Sequence, residues 1–262
     1  MDVTQYSNVN ELIDQLLLRM KSILGEMLVG LYLEGSLIIG DFDPNISDID
    51  LVAALAADID DRKFEALQKM HQDFATAHQQ WDDRIEVCYI TLAALKTVKS
   101  RTTMIVNISP GEPFHRVESN KEWLMNWYLT RERSKTLFGP EPKTIIEAIS
   151  KEEFIHAVAE HAKKWTEYVK DTQHARKKQA YAILTMCRAL YAYKNGAQVS
   201  KKQAALWVQK QLPEWSSLIQ NALLWREEYR NEQVDHAATY PETVKFVNDI
   251  IEHIWDSIAV LK

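Results

Sequence analysis

The sequence predicts an α+β protein, with an N-terminal domain built on a mixed sheet with covering helices and an all-α helical bundle after it. Two observations carry this. Up to residue 91, short apolar runs of strand length alternate with segments of helical periodicity, whereas beyond residue 145 every periodic segment has helical spacing and none reads as a strand. With 262 residues, 46% of them hydrophobic, the chain can bury one large core or two modest ones.

In chain order, Asn10 is placed to cap a helix whose residues Leu12, Ile13, Leu16, Leu17, Met20, Ile23 and Leu24 form one apolar stripe, and Gly25 ends it. The run Leu28 to Leu33 is a strand. Gly35 breaks it, Pro44, Asn45 and Ser47 keep the next segment irregular, and a second strand begins near Asp48 and runs to Leu55. Residues 61–79 carry Phe64, Leu67, Met70 and Phe74 at helical spacing, and RIEVCYI at 84–90 is a third strand. Residues 91–99 read as a short helix, 109–113 as a loop, and 120–137 as a helix with Trp123, Leu124, Trp127, Tyr128 and Leu137 near one face. Aromatics at that spacing are core before they are a substrate platform. Gly139, Pro140 and Pro142 end this helix, which places the boundary between domains 1–140 and 141–262. Bundle helices follow near 151–172, 174–194, 200–211, 214–230 and 241–260. Asn195-Gly196 is a helix stop, Ser200 with Gln203 a capping box, and Pro241 a first-turn proline.

The chemistry concentrates in LYLEGSLIIGDFDPNISDIDLVAAL, residues 31–55. Side chains alternate across a strand, so Asp48 and Asp50 point to one face while Ile49 and Leu51 point to the other. Two carboxylates so close repel each other. A divalent cation relieves the repulsion, and hard oxygen ligands of this kind suit Mg²⁺ held jointly with substrate phosphates. Gly35 lets backbone approach a phosphate, and Ser36 offers a hydroxyl and an amide beside it. On the third strand Glu86 is a carboxylate among apolar residues, costly unless it faces solvent, a cation or a ligand. Taken singly, a D-x-D, a Gly-Ser and a strand glutamate are each ordinary structure.

Taken together, a Gly-Ser closing one strand, a short polar loop and a D-x-D opening the next resembles the signature of the nucleotidyltransferase superfamily that includes polymerase beta and the aminoglycoside adenylyltransferases. The resemblance implies a polymerase beta-like nucleotidyltransferase domain in which Asp48, Asp50 and Glu86 form the metal centre and Glu86 takes the proton from the attacking hydroxyl. The helical half resembles the C-terminal half of the same adenylyltransferases, most closely in LTMCRALYAYKNGAQVSKKQAALW at 184–207. Carried over, Lys201 binds the nucleotide phosphates together with Gly35 and Ser36, with Arg188 and Tyr229 as poorer candidates. The activity implied is Mg²⁺-dependent transfer of AMP from ATP to a hydroxyl of a small molecule such as an aminoglycoside or aminocyclitol antibiotic. The competing readings are a protein-directed adenylyltransferase of the toxin–antitoxin type and a non-catalytic nucleotide-binding module.

Bulk properties narrow the partners. A formal net charge of −6 gives no global electrostatic footprint for nucleic acid. Cys88 and Cys187, each within an apolar segment, read as buried free thiols of a reducing compartment. MDVTQYSNVNELIDQ has no basic region followed by an apolar run, and no apolar stretch approaches membrane-spanning length, so a soluble cytoplasmic protein is expected. Substrate signals depart from part of the family. SRTTMIVNISPGEPFHRVE replaces the aromatic-proline stretch of streptomycin- and spectinomycin-acting relatives, and Lys178 and Tyr181 stand where streptomycin-acting members are acidic and then histidine-bearing. A cationic Lys178 is a poor neighbour for a polycationic drug, which disfavours streptomycin.

Overall fold

The computed structural model describes residues 3–227 and 235–259, and they form two compact units, residues 1–149 and 150–262. The first helix, α1 (Ser7–Leu24), buries Val9, Leu12, Ile13, Leu16, Leu17, Met20 and Leu24 and stops at Gly25, whose φ of 55° a Cβ would resist. It starts earlier than its sequence suggests: Tyr6 is the N-cap, and buried Asn10 spends its amide on Thr4, accepting from Thr4 N at 2.9 Å and donating to Thr4 O at 2.9 Å.

After α1 come β1 (Leu28–Leu33), α2 (Gly35–Ile39), β2 (Ile49–Leu55), α3 (Asp61–Ala77), β3 (Ile85–Thr91) and α4 (Leu92–Leu95). Asp60 caps α3 through its side chain at 2.7 Å from Lys63 N, and Thr91 caps α4 at 3.2 Å from Ala94 N. The stretch read only as a loop is the turn of a hairpin, β4 (Thr103–Ser109) and β5 (Glu112–Ser119), with Gly111 at φ 80°. The aromatic helix is shorter than its periodicity suggests. α5 (Leu124–Arg133) gives way to β6 (Lys135–Phe138), so Leu137 is a strand residue, and α6 (Pro142–Ile145) follows.

The six strands form one sheet in the order β5-β4-β3-β2-β1-β6. Among the described residues only β2 and β3 pair in parallel, in the register Asp50↔Glu86, Val52↔Cys88 and Ala54↔Ile90. One face packs Leu31, Leu33, Ile49, Leu51, Val87 and Tyr89 against the apolar sides of α1 and α3. The other packs Tyr32, Val52, Ala54, Cys88 and Ile90 against α4, Trp127 of α5, and Ile145, Ile146 and Ile149. Those three isoleucines move the division between units from the expected 140 to 149, because the chain beyond the Gly-Pro break still fills the first core.

Among the described residues the second unit is all helical: α7 (Lys151–Tyr168), α8 (Arg176–Asn195), α9 (Lys201–Gln211), α10 (Ser216–Glu227) and α11 (Tyr240–Ala259). α8 is the central helix, packed on α7, α9, α10 and α11. Its punctuation matches the sequence reading, with Gly196 in the left-handed conformation and Ser200 and Gln203 closing a capping box. Gln179, fully buried on α8, meets its polar needs by donating to His236 O at 2.7 Å and accepting from Thr239 Oγ1 at 2.6 Å. Among the described residues no helix is long and apolar enough to cross a membrane.

Candidate active site

The site is built at the ends of β1, β2 and β3. As β1 ends, Glu34 stays extended and its N–H donates to Asp50 O at 2.9 Å, which locks the two strand ends together. Gly35 then turns the chain at φ 65° into α2, and a Cβ on it would overlap the Asp50 carboxylate. Gly40, at φ 84°, ends that short helix. The returning loop is held by its own polar groups. Asp43 N donates to Ser47 Oγ at 3.0 Å, Asn45 N to Asp43 Oδ1 at 2.8 Å, and Ser47 N to Asp43 O at 2.9 Å. Its apolar anchor is Phe42, with ring centroids 5.0 Å from Tyr6 and 6.3 Å from Trp81. A rigid loop therefore delivers Asp48 and Asp50, and the parallel register sets Glu86 beside Asp50.

Oxygen atoms of Asp48, Asp50 and Glu86 all lie within 4.8 Å of one another. Such crowding in a half-buried place is electrostatically costly, and Glu86 registers it. Burial first, and then the charges of Asp50, Asp48, Glu34 and Glu112, raise its pKa from 4.5 to about 8. Glu34 is a fourth carboxylate on the same sheet end, which the sequence reading passed over. Burial raises it to about 8, the Thr130 hydroxyl hydrogen-bonded to it pulls the value down, and the Asp50 charge adds to the rise. Two buried oxygens at this corner, Glu34 Oε1 and Ser36 Oγ, have no hydrogen-bond partner.

These features fit a divalent cation with a phosphate-bearing ligand. The donor set is all carboxylate, and its spacing is close to the ~4 Å across which opposite ligands of a Mg²⁺-sized ion stand. Cation binding would favour the ionised form of Glu86 that the bare cluster disfavours. Ser36 Oγ is a free hydroxyl where a phosphate oxygen could accept from it.

Of the site residues expected from sequence, the structure brings Gly35, Ser36, Asp48, Asp50 and Glu86 together in the first unit. Lys201 stands in the second unit as the first residue of α9, its Nζ 4.5 Å from the centre of the Tyr181 ring. Arg188 is on α8, and Tyr229 lies outside the described residues. Trp127 is core: 1% exposed, stacked on Trp123 at 5.7 Å and donating from Nε1 to Ser119 Oγ at 3.1 Å. Cys88 and Cys187 are buried free thiols.

Residues 144–253 match the family model described as the aminoglycoside adenylyltransferase C-terminal domain. That match spans most of the helical unit and under half of the chain. The whole fold resembles that of spectinomycin adenyltransferase AAD(9) from Enterococcus faecialis, solved with ATP and spectinomycin. The TM-score is 0.74 at 17% identity, covering 93% of this chain and 99% of that one. At this identity the likeness is one of fold, and it takes in the sheet that carries the carboxylates as well as the helical unit. No curated protein matches the sequence.

Proposed function

We propose that the protein is an adenylyltransferase that moves AMP from ATP onto a hydroxyl of an aminoglycoside or aminocyclitol antibiotic, with Mg²⁺ as its metal. The observation that carries this reading is the convergence of Asp48, Asp50 and Glu86 in a chain whose helical unit matches the aminoglycoside adenylyltransferase C-terminal domain model. A likeness in fold to a spectinomycin enzyme makes spectinomycin the first acceptor to test.

In this reading Asp48, Asp50 and Glu86 hold the cation, and their crowded charge is what makes the site selective for a small hard dication. When bound, Mg²⁺ offsets the negative charge that gathers on the triphosphate as pyrophosphate leaves. Gly35 leaves room for Asp50 and for close backbone approach, and the Ser36 hydroxyl donates to a phosphate oxygen. Glu86 accepts the acceptor's hydroxyl proton as the acceptor oxygen bonds to the α-phosphorus and the bond from that phosphorus to pyrophosphate breaks. Lys201 adds a cation to the phosphates, an assignment supported by the family resemblance of its helix.

The deciding experiment incubates the protein with ATP, Mg²⁺ and separate acceptors, including spectinomycin and streptomycin, and follows pyrophosphate release together with the mass of the acceptor. Acceptor-dependent pyrophosphate and an adenylylated antibiotic are expected. An adduct on protein alone would instead favour the protein-directed reading, and absence of turnover with every acceptor would leave only a nucleotide-binding role.

A further inference from the structure

One residue holds Asp48 from both sides. The backbone O of Arg84 accepts from Ile49 N, the residue after Asp48, at 2.9 Å. Its guanidinium reaches the residue before: Nε donates to Ser47 O at 3.0 Å, and Nη2 donates both to Ser47 O and to Pro44 O, the latter at 2.9 Å. Nη1 donates to Gln80 O at 3.1 Å, and the guanidinium carbon lies 4.5 Å from the centre of the Trp81 ring. Trp81 in turn stacks on Phe42, the apolar anchor of the same loop. Arg84 therefore spans both acid-bearing segments, two residues ahead of Glu86 on one and gripping the carbonyls that precede Asp48 on the other.

A tie of this kind is more than a loop fastener. Asp48 lies just outside the hydrogen-bonded part of β2, so its backbone would be free to swing by itself, and the three carboxylates repel one another. Something has to hold the Asp48 carboxylate in place against that repulsion. The planar guanidinium is suited to it because its fixed fork binds carbonyls of Pro44, Ser47 and Gln80 at once, which an ammonium on a flexible stem cannot do.

We infer that Arg84 is a positioning residue for the metal centre: it pre-sets Asp48 against Glu86, and so sets the affinity of the carboxylate cluster for a divalent cation. This rests on the proposed function only in taking Asp48, Asp50 and Glu86 as the cation ligands. The action is through the backbone on either side of Asp48, and Arg84 need not touch substrate.

The test measures binding of Mn²⁺ alone by electron paramagnetic resonance, with melting temperature followed in parallel, for the wild type and for Arg84→Lys, Arg84→Ala and Asp48→Asn. Expected is a Mn²⁺ dissociation constant raised about 10-fold or more in Arg84→Lys, which keeps the charge and the stem but loses the fork, with the melting temperature lowered by only a few degrees. Asp48→Asn tests the cluster itself. If Asp48→Asn weakens Mn²⁺ and Arg84→Lys does not, the positioning role is overturned while the metal-site reading stands. If Asp48→Asn binds as tightly as wild type, the metal-site reading fails and the inference fails with it. A loss of affinity in Arg84→Lys that is matched by unfolding also overturns the role, and Arg84→Ala, if it folds, should weaken Mn²⁺ at least as much as the lysine variant.

Discussion

A Cβ built on Gly35 would stand 1.7 Å from Oδ2 of Asp50. The glycine thus serves the carboxylate as well as the turn. Its φ of 65° already favours glycine, and the contact means that even a residue willing to adopt that backbone would have to push Asp50 out of the cluster. Gly35→Ala should cost about 1–2 kcal/mol of stability from the backbone alone and abolish AMP transfer, because a displaced Asp50 no longer faces Glu86. Chemical denaturation and a pyrophosphate assay on the same preparation check both. A well-folded Gly35→Ala enzyme with wild-type turnover would show that Asp50 is not needed where it stands.

Two roles are proposed for Glu86, ligand and base, and a conservative change separates them from a purely structural part. Glu86→Gln keeps the shape of the side chain and removes both the charge and the proton acceptor, so the single-turnover rate should fall by about 10²-fold or more. The protein should melt no earlier than wild type, since the amide is neutral without the proton uptake that keeps the folded Glu86 carboxyl uncharged up to about pH 8. An unchanged single-turnover rate with bound ATP would leave Glu86 a structural residue.

The parts of the fold written in local pattern were legible. Leu28–Leu33, Ile49–Leu55 and Ile85–Thr91 are short apolar runs bounded by turn residues, and the alternation of side chains was enough to put Asp48 and Asp50 on one face, whereas Glu86 joined them only through the family resemblance until the β2–β3 register set it beside Asp50. What was hidden depends on distant partners. The β4–β5 hairpin carries polar residues within both strands and a proline beside its turn, so its strands emerge only from pairing with β3 and with each other. β6 is four residues long, and Leu137 happens to fall at helical spacing from the helix before it. Asn10 has a capping residue's chemistry, but Thr4 claims it. Glu34 looks like a solvated strand end until Thr130, from a helix far along the chain, covers it. Arg84 was equally silent, since nothing in the sequence shows that a strand-entry arginine will find the carbonyls of Pro44 and Ser47.

Lys201 tests the family resemblance at a residue the first unit does not contain. Its backbone is secured by the Ser200–Gln203 capping box, which the side chain does not join, so truncation should leave α9 intact. Lys201→Ala should weaken ATP binding by about 1–3 kcal/mol, the range for a hydrogen bond to a charged group, with little change in melting temperature. Calorimetric titration with ATP measures it, and Lys178→Ala is the control expected to bind as wild type. Equal affinities for wild type and Lys201→Ala would remove the lysine from the nucleotide site.

The two raised carboxyls make stability depend on pH in a direction opposite to the usual carboxylate. In the unfolded chain Glu34 and Glu86 lose their protons near the ordinary value of 4.5, whereas the folded protein keeps them to about 8. Between those values the folded state holds more protons than the unfolded state, so stability falls as pH rises. His71, which burial lowers from 6.5 to about 4, acts in the opposite sense, but only below about 6.5. The clean window is therefore pH 6.5 to 8. In the presence of a chelator the melting temperature of the wild type should drop across that window, and Glu34→Gln and Glu86→Gln should each remove about one proton's share of the slope. Adding Mg²⁺ should flatten the drop, because a bound dication favours the ionised cluster and binds the folded state alone. A melting temperature that stays level from pH 6.5 to 8 in chelator would mean that the two glutamates titrate in the folded protein as they do in the unfolded chain.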